Sequence, residues 1–203
     1  MRTERNEENL EHEKDGEDAS SDLASWTHPG VREVYRDQVL WVLDKPAGIL
    51  THPNPPGDRA PNALLRGAYD FDRELYRIDI PGQRQRQVHL VHRLDQETSG
   101  IILCTFAAEA GAMLKEALFH REVEKEYRAL VLGLPSPRRG EWSDRLEKVS
   151  RGGRAVVTVR PGRPNAVTRY GVIETFRKGE LSLVSLWPET GRTHQLRVQA
   201  ASR

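Results

Sequence analysis

The chain has 203 residues and a mass of 23.1 kDa, room for one compact domain with or without a tail. With 37% hydrophobic and 30% charged residues and a mean hydropathy of −0.67, it has no apolar run near the roughly 18–20 residues that cross a bilayer as a helix. A membrane protein is not expected, and the net charge of +1 conceals an acidic start followed by a basic remainder.

Residues 1–25 carry three basic residues (Arg2, Arg5, Lys14) against nine acidic ones, which leaves +7 from residue 26 onward. An acidic segment without aromatics cannot bury enough apolar surface to offset its ordering entropy, so an acidic disordered tail is expected over 1–27. It also lacks the apolar core of a secretory signal. Trp26 opens the first stretch able to pack. VREVYRDQVLWVLDKPAG reads as two short strands around a turn at Asp37-Gln38, closed by Lys45-Pro46-Ala47-Gly48. THPNPPGDRAPNALL is a loop of turn formers, followed by a short helix expected around Ala63–Tyr69.

PGQRQRQ (81–87) reads as a polar, basic loop. VHLVHRLD and SGIILCTF read as strands about a central turn, and AAEAGAMLKEALFH as an amphipathic helix. EKEYRALVLG alternates as a strand that stops at Gly133, and PSPRRGEWSDRLEKVSRGGR reads as a loop-rich basic excursion or hairpin. AVVTVR, AVTRYGVIETFR and ELSLVSLWPE give three more strands, with Lys178-Gly179 turning between the last two. Thr190–Ala201 is expected to be helical. Many strands, few helices and no strand–helix alternation predict an α+β fold with a mainly antiparallel mixed sheet, flanked by helices and loops.

Three clusters could carry chemistry. In VHRLDQETSG (91–100) a histidine, an arginine, a carboxylate and two hydroxyls sit in a loop between apolar strands, where sites are commonly built. Read alone, it is a turn in which Asp95 caps neighbouring amides. A Ser99–His92–Asp95 triad is disfavoured, since triad members converge from separate elements and no nucleophile-elbow pattern is present. His89 and His92 would face opposite sides of a strand and lack a third ligand, so no metal is expected. In ETGRTHQLRVQ (189–199), a helix would pair Arg192 with Gln195 and His194 with Arg197, otherwise a basic solvated face. In EKEYRALVLG, Tyr127 alone reads as a half-buried strand tyrosine. The lone Cys104 allows no internal disulfide and suits a reducing compartment, most simply the cytoplasm.

Together, VLWVLDKPAGILTHP, VHRLDQETSG, EKEYRALVLG and LVSLWPETGRTHQLRVQ, in that order, resemble the RluA-type family of RNA pseudouridine synthases over most of residues 33–203. The resemblance implies a catalytic domain over 28–203 that isomerises a uridine of structured RNA, ribosomal or transfer, with a monomer as the default. That isomerisation breaks one glycosidic bond, turns the base and forms a carbon–carbon bond to the same sugar carbon. It needs neither redox change nor net water, so no cofactor is demanded. By resemblance Asp95 is the essential carboxylate, ionised beside a cation, for which Arg197 is the first choice and Arg192 the second. Tyr127 packs on the target base, Leu196 floors the pocket, and Arg93 fills the gap left when the base is flipped out of its stack. The basic stretches 81–87 and 137–154 (Arg84, Arg86, Arg138, Arg139, Arg145, Lys148, Arg151, Arg154) would lie along phosphates. Relatives usually continue with a further C-terminal segment bearing a GHP…GD…YG-like stretch, absent here, so a catalytically impaired RNA-binding remnant is the alternative.

Overall fold

The computed structural model describes residues 25–79 and 84–203; the acidic stretch 1–24 and part of the 81–87 loop lie outside them. Two compact units follow one another, the first ending at Ala112 and the second running from Met113 to Arg203.

The first unit is a six-stranded sheet in the order β1-β2-β6-β5-β4-β3, with every pair antiparallel. Its strands are β1 (Arg32–Arg36), β2 (Leu40–Lys45), β3 (Ala68–Asp70), β4 (Leu75–Ile78), β5 (Arg86–Leu90) and β6 (Gly100–Thr105). Alternation explains β2: Trp41, Leu43 and Lys45 share the inward face and are fully buried, while Leu40, Val42 and Asp44 are half-buried. Trp41 and Leu43 join Trp26, Leu64, Leu65, Tyr69, Tyr76, Val88, Ile102 and Cys104 in one apolar cluster. The β1–β2 turn is tied by Asp37, whose carboxylate accepts from the backbone N–H of Val39 (2.8 Å) and Leu40 (2.6 Å) and from the Tyr35 hydroxyl (2.8 Å).

The helix expected at Ala63–Tyr69 is not formed. Ala63 bridges to Leu50 and Leu65 to Thr27, so this segment is extended and buries three consecutive side chains before entering β3. A helix would turn one of the three away from the core, which accounts for the difference. The basic loop 81–87 is likewise shorter than expected, because β5 begins at Arg86.

Helix α1 (Ala108–Phe119) leads into the second unit. Gly111 is its one buried residue, and Met113 and Phe119 are largely exposed. The second unit is a five-stranded sheet ordered β7-β11-β10-β8-β9. Its strands are β7 (Tyr127–Leu132), β8 (Arg139–Arg151), β9 (Arg154–Arg160), β10 (Ala166–Phe176) and β11 (Leu181–Pro188), and helix α2 (Gln195–Ala201) closes the chain. Trp142, Tyr170, Val184 and Leu186 form its core. β7 is an edge strand whose Leu130 and Leu132 are 61% and 89% exposed.

The stretch read as loop-rich is mostly strand β8, in which Trp142 and Leu146 point inward four residues apart. The hairpin part of that reading holds: Arg151 pairs with Arg154 across Gly152-Gly153, both at positive φ, as a two-residue turn demands. The terminal helix is shorter than Thr190–Ala201. Residues 190–194 are not helical, and His194 sits in the left-handed region at φ 52°. The α+β class, mostly antiparallel with two helices, is as the sequence predicts.

Candidate active site

Asp95 lies half-buried in the loop between β5 and β6, and the residues on either side of it are fastened to segment 45–51. Before it, Leu94 donates its N–H to Thr51 Oγ1 (3.1 Å), and its carbonyl accepts from the same hydroxyl (2.8 Å). After it, the Gln96 carbonyl accepts from Gly48 N–H (2.9 Å) and from Lys45 Nζ (3.0 Å), while Gln96 Nε2 donates to the Gly48 carbonyl (3.1 Å). Gly48 holds φ at +90°, a conformation glycine adopts freely. The turn itself closes with Thr98 N–H donating to the Asp95 carbonyl at 3.0 Å.

Lys45 anchors this arrangement. Its ammonium is fully buried and spends its donors on the carbonyls of Ile49 (2.8 Å), Pro46 (3.0 Å) and Gln96 (3.0 Å). Burial pushes its pKa down, and the Glu97 and Asp95 carboxylates partly offset that shift. Thr51 is fixed in turn by the fully buried Tyr76, whose hydroxyl donates to its carbonyl at 2.8 Å. Pinning the residues on both sides narrows the positions open to the Asp95 carboxylate.

Arg93 shares the loop, is exposed, and places Nη1 3.3 Å from Nε2 of His52. A small cleft beside it is lined by His52, Tyr69, Glu74, Leu90, Val91, His92 and Arg93. His92 is committed elsewhere, its Nε2 accepting from Leu103 N–H at 3.2 Å, which fits a structural role. Among the described residues, no group of three His, Cys, Asp or Glu stands close enough to hold a metal.

The other four residues lie in the second unit. Tyr127 opens β7 and Leu196 lies in the first turn of α2, both half-buried against the same core cluster. Arg197 follows Leu196 and is exposed. Arg192 precedes the helix, and its Nε donates to the Asn165 carbonyl at 3.0 Å. Thus Asp95 and Arg93 share one loop, and Tyr127 and Leu196 share one cluster.

Two buried glutamines set the path of 189–199: Gln195, expected only as a helical neighbour of Arg192, and Gln199, to which the sequence assigned no role. Gln195 Oε1 accepts from Arg192 N–H (3.0 Å) and the Thr190 hydroxyl (2.8 Å), and its Nε2 donates to the Val167 carbonyl (3.0 Å) and Thr168 Oγ1 (2.9 Å). Gln199, fully buried, donates to Trp142 O (3.1 Å), Asp144 Oδ2 (2.8 Å) and Ala166 O (3.3 Å) and accepts from Thr168 Oγ1 (2.7 Å). The Gln195 side chain caps Arg192 N–H and, with Gln199, ties this segment to β8 and β10, and α2 begins at Gln195. The basic stretches also resolve unevenly. The Arg86 guanidinium lies over Phe106, 4.3 Å from the ring centroid, and Arg145 pairs with Glu147 through Nε at 2.9 Å. Lys45, Thr51 and His52 were equally unassigned, although a lysine in phase with Trp41 and Leu43 is itself a signal of a buried, partnered cation.

A family model described as RNA pseudouridylate synthase matches residues 39–202. The uncharacterized RNA pseudouridine synthase YhcT of Bacillus subtilis is 36% identical over 169 residues, 83% of this chain and 53% of that protein. The ribosomal large subunit pseudouridine synthase D of Yersinia pestis is 36% identical over 170 residues, 81% of this chain and 47% of that protein. Among solved structures, human RNA pseudouridylate synthase domain containing 4 matches with a TM-score of 0.60 at 26% identity, covering 84% of this chain and 63% of that one. The chain spans about half the length of the curated relatives it matches.

Proposed function

The chain belongs to the RNA pseudouridylate synthase family, and from that premise we propose that it isomerises a uridine in structured RNA, ribosomal or transfer, to pseudouridine, with Asp95 as the essential carboxylate. The observation that carries this reading is the fastening of Leu94 and Gln96, on both sides of Asp95, to segment 45–51. A loop serving only as a turn has no need of a buried ammonium behind it.

The balance of the reaction fits one carboxylate. The bond from uracil N1 to the sugar carbon breaks, the base turns, C5 bonds to that carbon, and the C5 proton is lost while N1 gains one. Asp95 either attacks the sugar carbon or removes a sugar proton to give a glycal-like intermediate. A retaining glycosidase would instead need a second carboxylate roughly 5 Å away as acid. Arg93, exposed in the same loop, has the planar guanidinium that can occupy the stack vacated by a flipped base. Tyr127 and Leu196, held on one cluster, supply the apolar surface for the base. Following the resemblance, Arg197 is the cation that partners the carboxylate, with Arg192, whose Nε donates to the Asn165 carbonyl, as the second choice.

Tritium release from bulk cellular RNA labelled at uridine C5 tests the reading. Wild type is expected to release label over many turnovers, and Asp95→Asn, folded to the same melting temperature, to lose at least three orders of magnitude. Equal release by the two proteins would remove Asp95 from the chemistry. RNA binding with no release by wild type would favour the impaired remnant.

A further inference from the structure

Arg93 is exposed, and a long cation at a surface ordinarily samples many rotamers. Here one acceptor stands beside it. His52 Nδ1 lies 2.7 Å from the Pro53 carbonyl oxygen, so Nδ1 carries the ring proton and donates it to that carbonyl. Nε2 is then left with its lone pair, 3.3 Å from Arg93 Nη1. The imidazole is itself fixed. It stacks on Tyr69 with centroids 4.7 Å apart and planes 7° from parallel, and Phe71 meets it edge-on at 6.2 Å. Tyr69 is buried against Tyr76, 5.0 Å away, and Tyr76 bonds the Thr51 carbonyl. An aromatic column thus runs from the core of the first unit to the guanidinium, passing the same Thr51 that fastens Leu94.

We propose that His52 is a positioning residue for RNA engagement: its Nε2 orients the Arg93 guanidinium, using one of five donors and leaving the planar face and the others for a nucleobase and phosphate. This deepens the reading above and rests on it. The acceptor, rather than the ring as such, does the orienting, because stacking on Tyr69 alone would be served as well by phenylalanine.

The test separates these roles. Long-range proton–nitrogen NMR of wild type is expected to show His52 as the Nδ1–H tautomer, and finding it as Nε2–H overturns the proposal. In tritium-release kinetics, His52→Phe is expected to raise KM for RNA about fivefold, the worth of one hydrogen bond, with kcat within about twofold. Arg93→Ala should raise KM at least as much, and adding His52→Phe to it should change nothing further. If the two effects multiply, or if Arg93→Ala acts and His52→Phe does not, His52 has no part in positioning while Arg93 keeps its role. If Arg93→Ala leaves KM unchanged, the role of Arg93 falls and the proposal with it. Should His52→Phe fail to fold, His52→Gln and His52→Leu replace it: Gln keeps an acceptor and is expected to stay nearer wild type, and equal KM for both overturns the idea.

Discussion

Lys45 is the side chain on which the geometry around Asp95 depends most. Three carbonyls accept from its fully buried ammonium. Lys45→Met keeps much of the volume, removes the donor from all three and strands the buried Ile49 carbonyl, so a loss of about 2 kcal/mol in unfolding free energy is expected. Denaturant titration measures it, and the surviving folded fraction should also turn over more slowly because Gln96 is no longer held. The residues assigned to the proposed reaction are the ones the motifs themselves consist of. Those that hold them, Lys45, Thr51, Gln195 and Gln199, were not legible in that role. Each works through backbone carbonyls or amides contributed by distant segments, and a one-dimensional pattern does not show where a carbonyl will point.

Strands were legible wherever apolar residues alternate, as in β2, and were missed where only alternate inward positions are apolar, as in β8 with Trp142 and Leu146 among charges. The segment 190–194, where Gln195 Oε1 takes Arg192 N–H and His194 turns into the left-handed region, departs from the helical period that the sequence suggests. The β1–β2 turn shows what a legible element yields. The N–H of Leu40, then that of Val39, then the Tyr35 hydroxyl hold the Asp37 carboxyl below the ordinary aspartate range. A carboxylate whose folded pKa is depressed stabilises above its unfolded pKa and ceases to do so as pH falls through the folded value. Asp37→Asn should therefore melt below wild type at pH 7, and the gap should close below about pH 4. Melting curves of both proteins between pH 2.5 and 7 check it, and a gap independent of pH would argue against the capping role.

At the scale of the molecule, charge is the clearest property. From residue 26 onward the net charge is +7, and the exposed Arg138 and Arg139 stand at the start of β8. RNA affinity should fall steeply with salt, and Arg138→Gln with Arg139→Gln together should flatten the log–log slope by about 1–2. An unchanged slope would move the phosphate contacts elsewhere. The sheet order in each unit was beyond the sequence, because pairing β2 with β6 or β11 with β7 joins segments dozens of residues apart. The outer rim of the second sheet carries a practical penalty of its own. Among the described residues nothing pairs with the outer edge of β7, whose hydrogen-bonding groups stand beside two exposed leucines as a template on which another strand can be laid down. Stored concentrated, the purified protein should turn cloudy with a concentration-dependent lag, and Leu132→Lys should lengthen that lag severalfold in light scattering while leaving catalysis untouched.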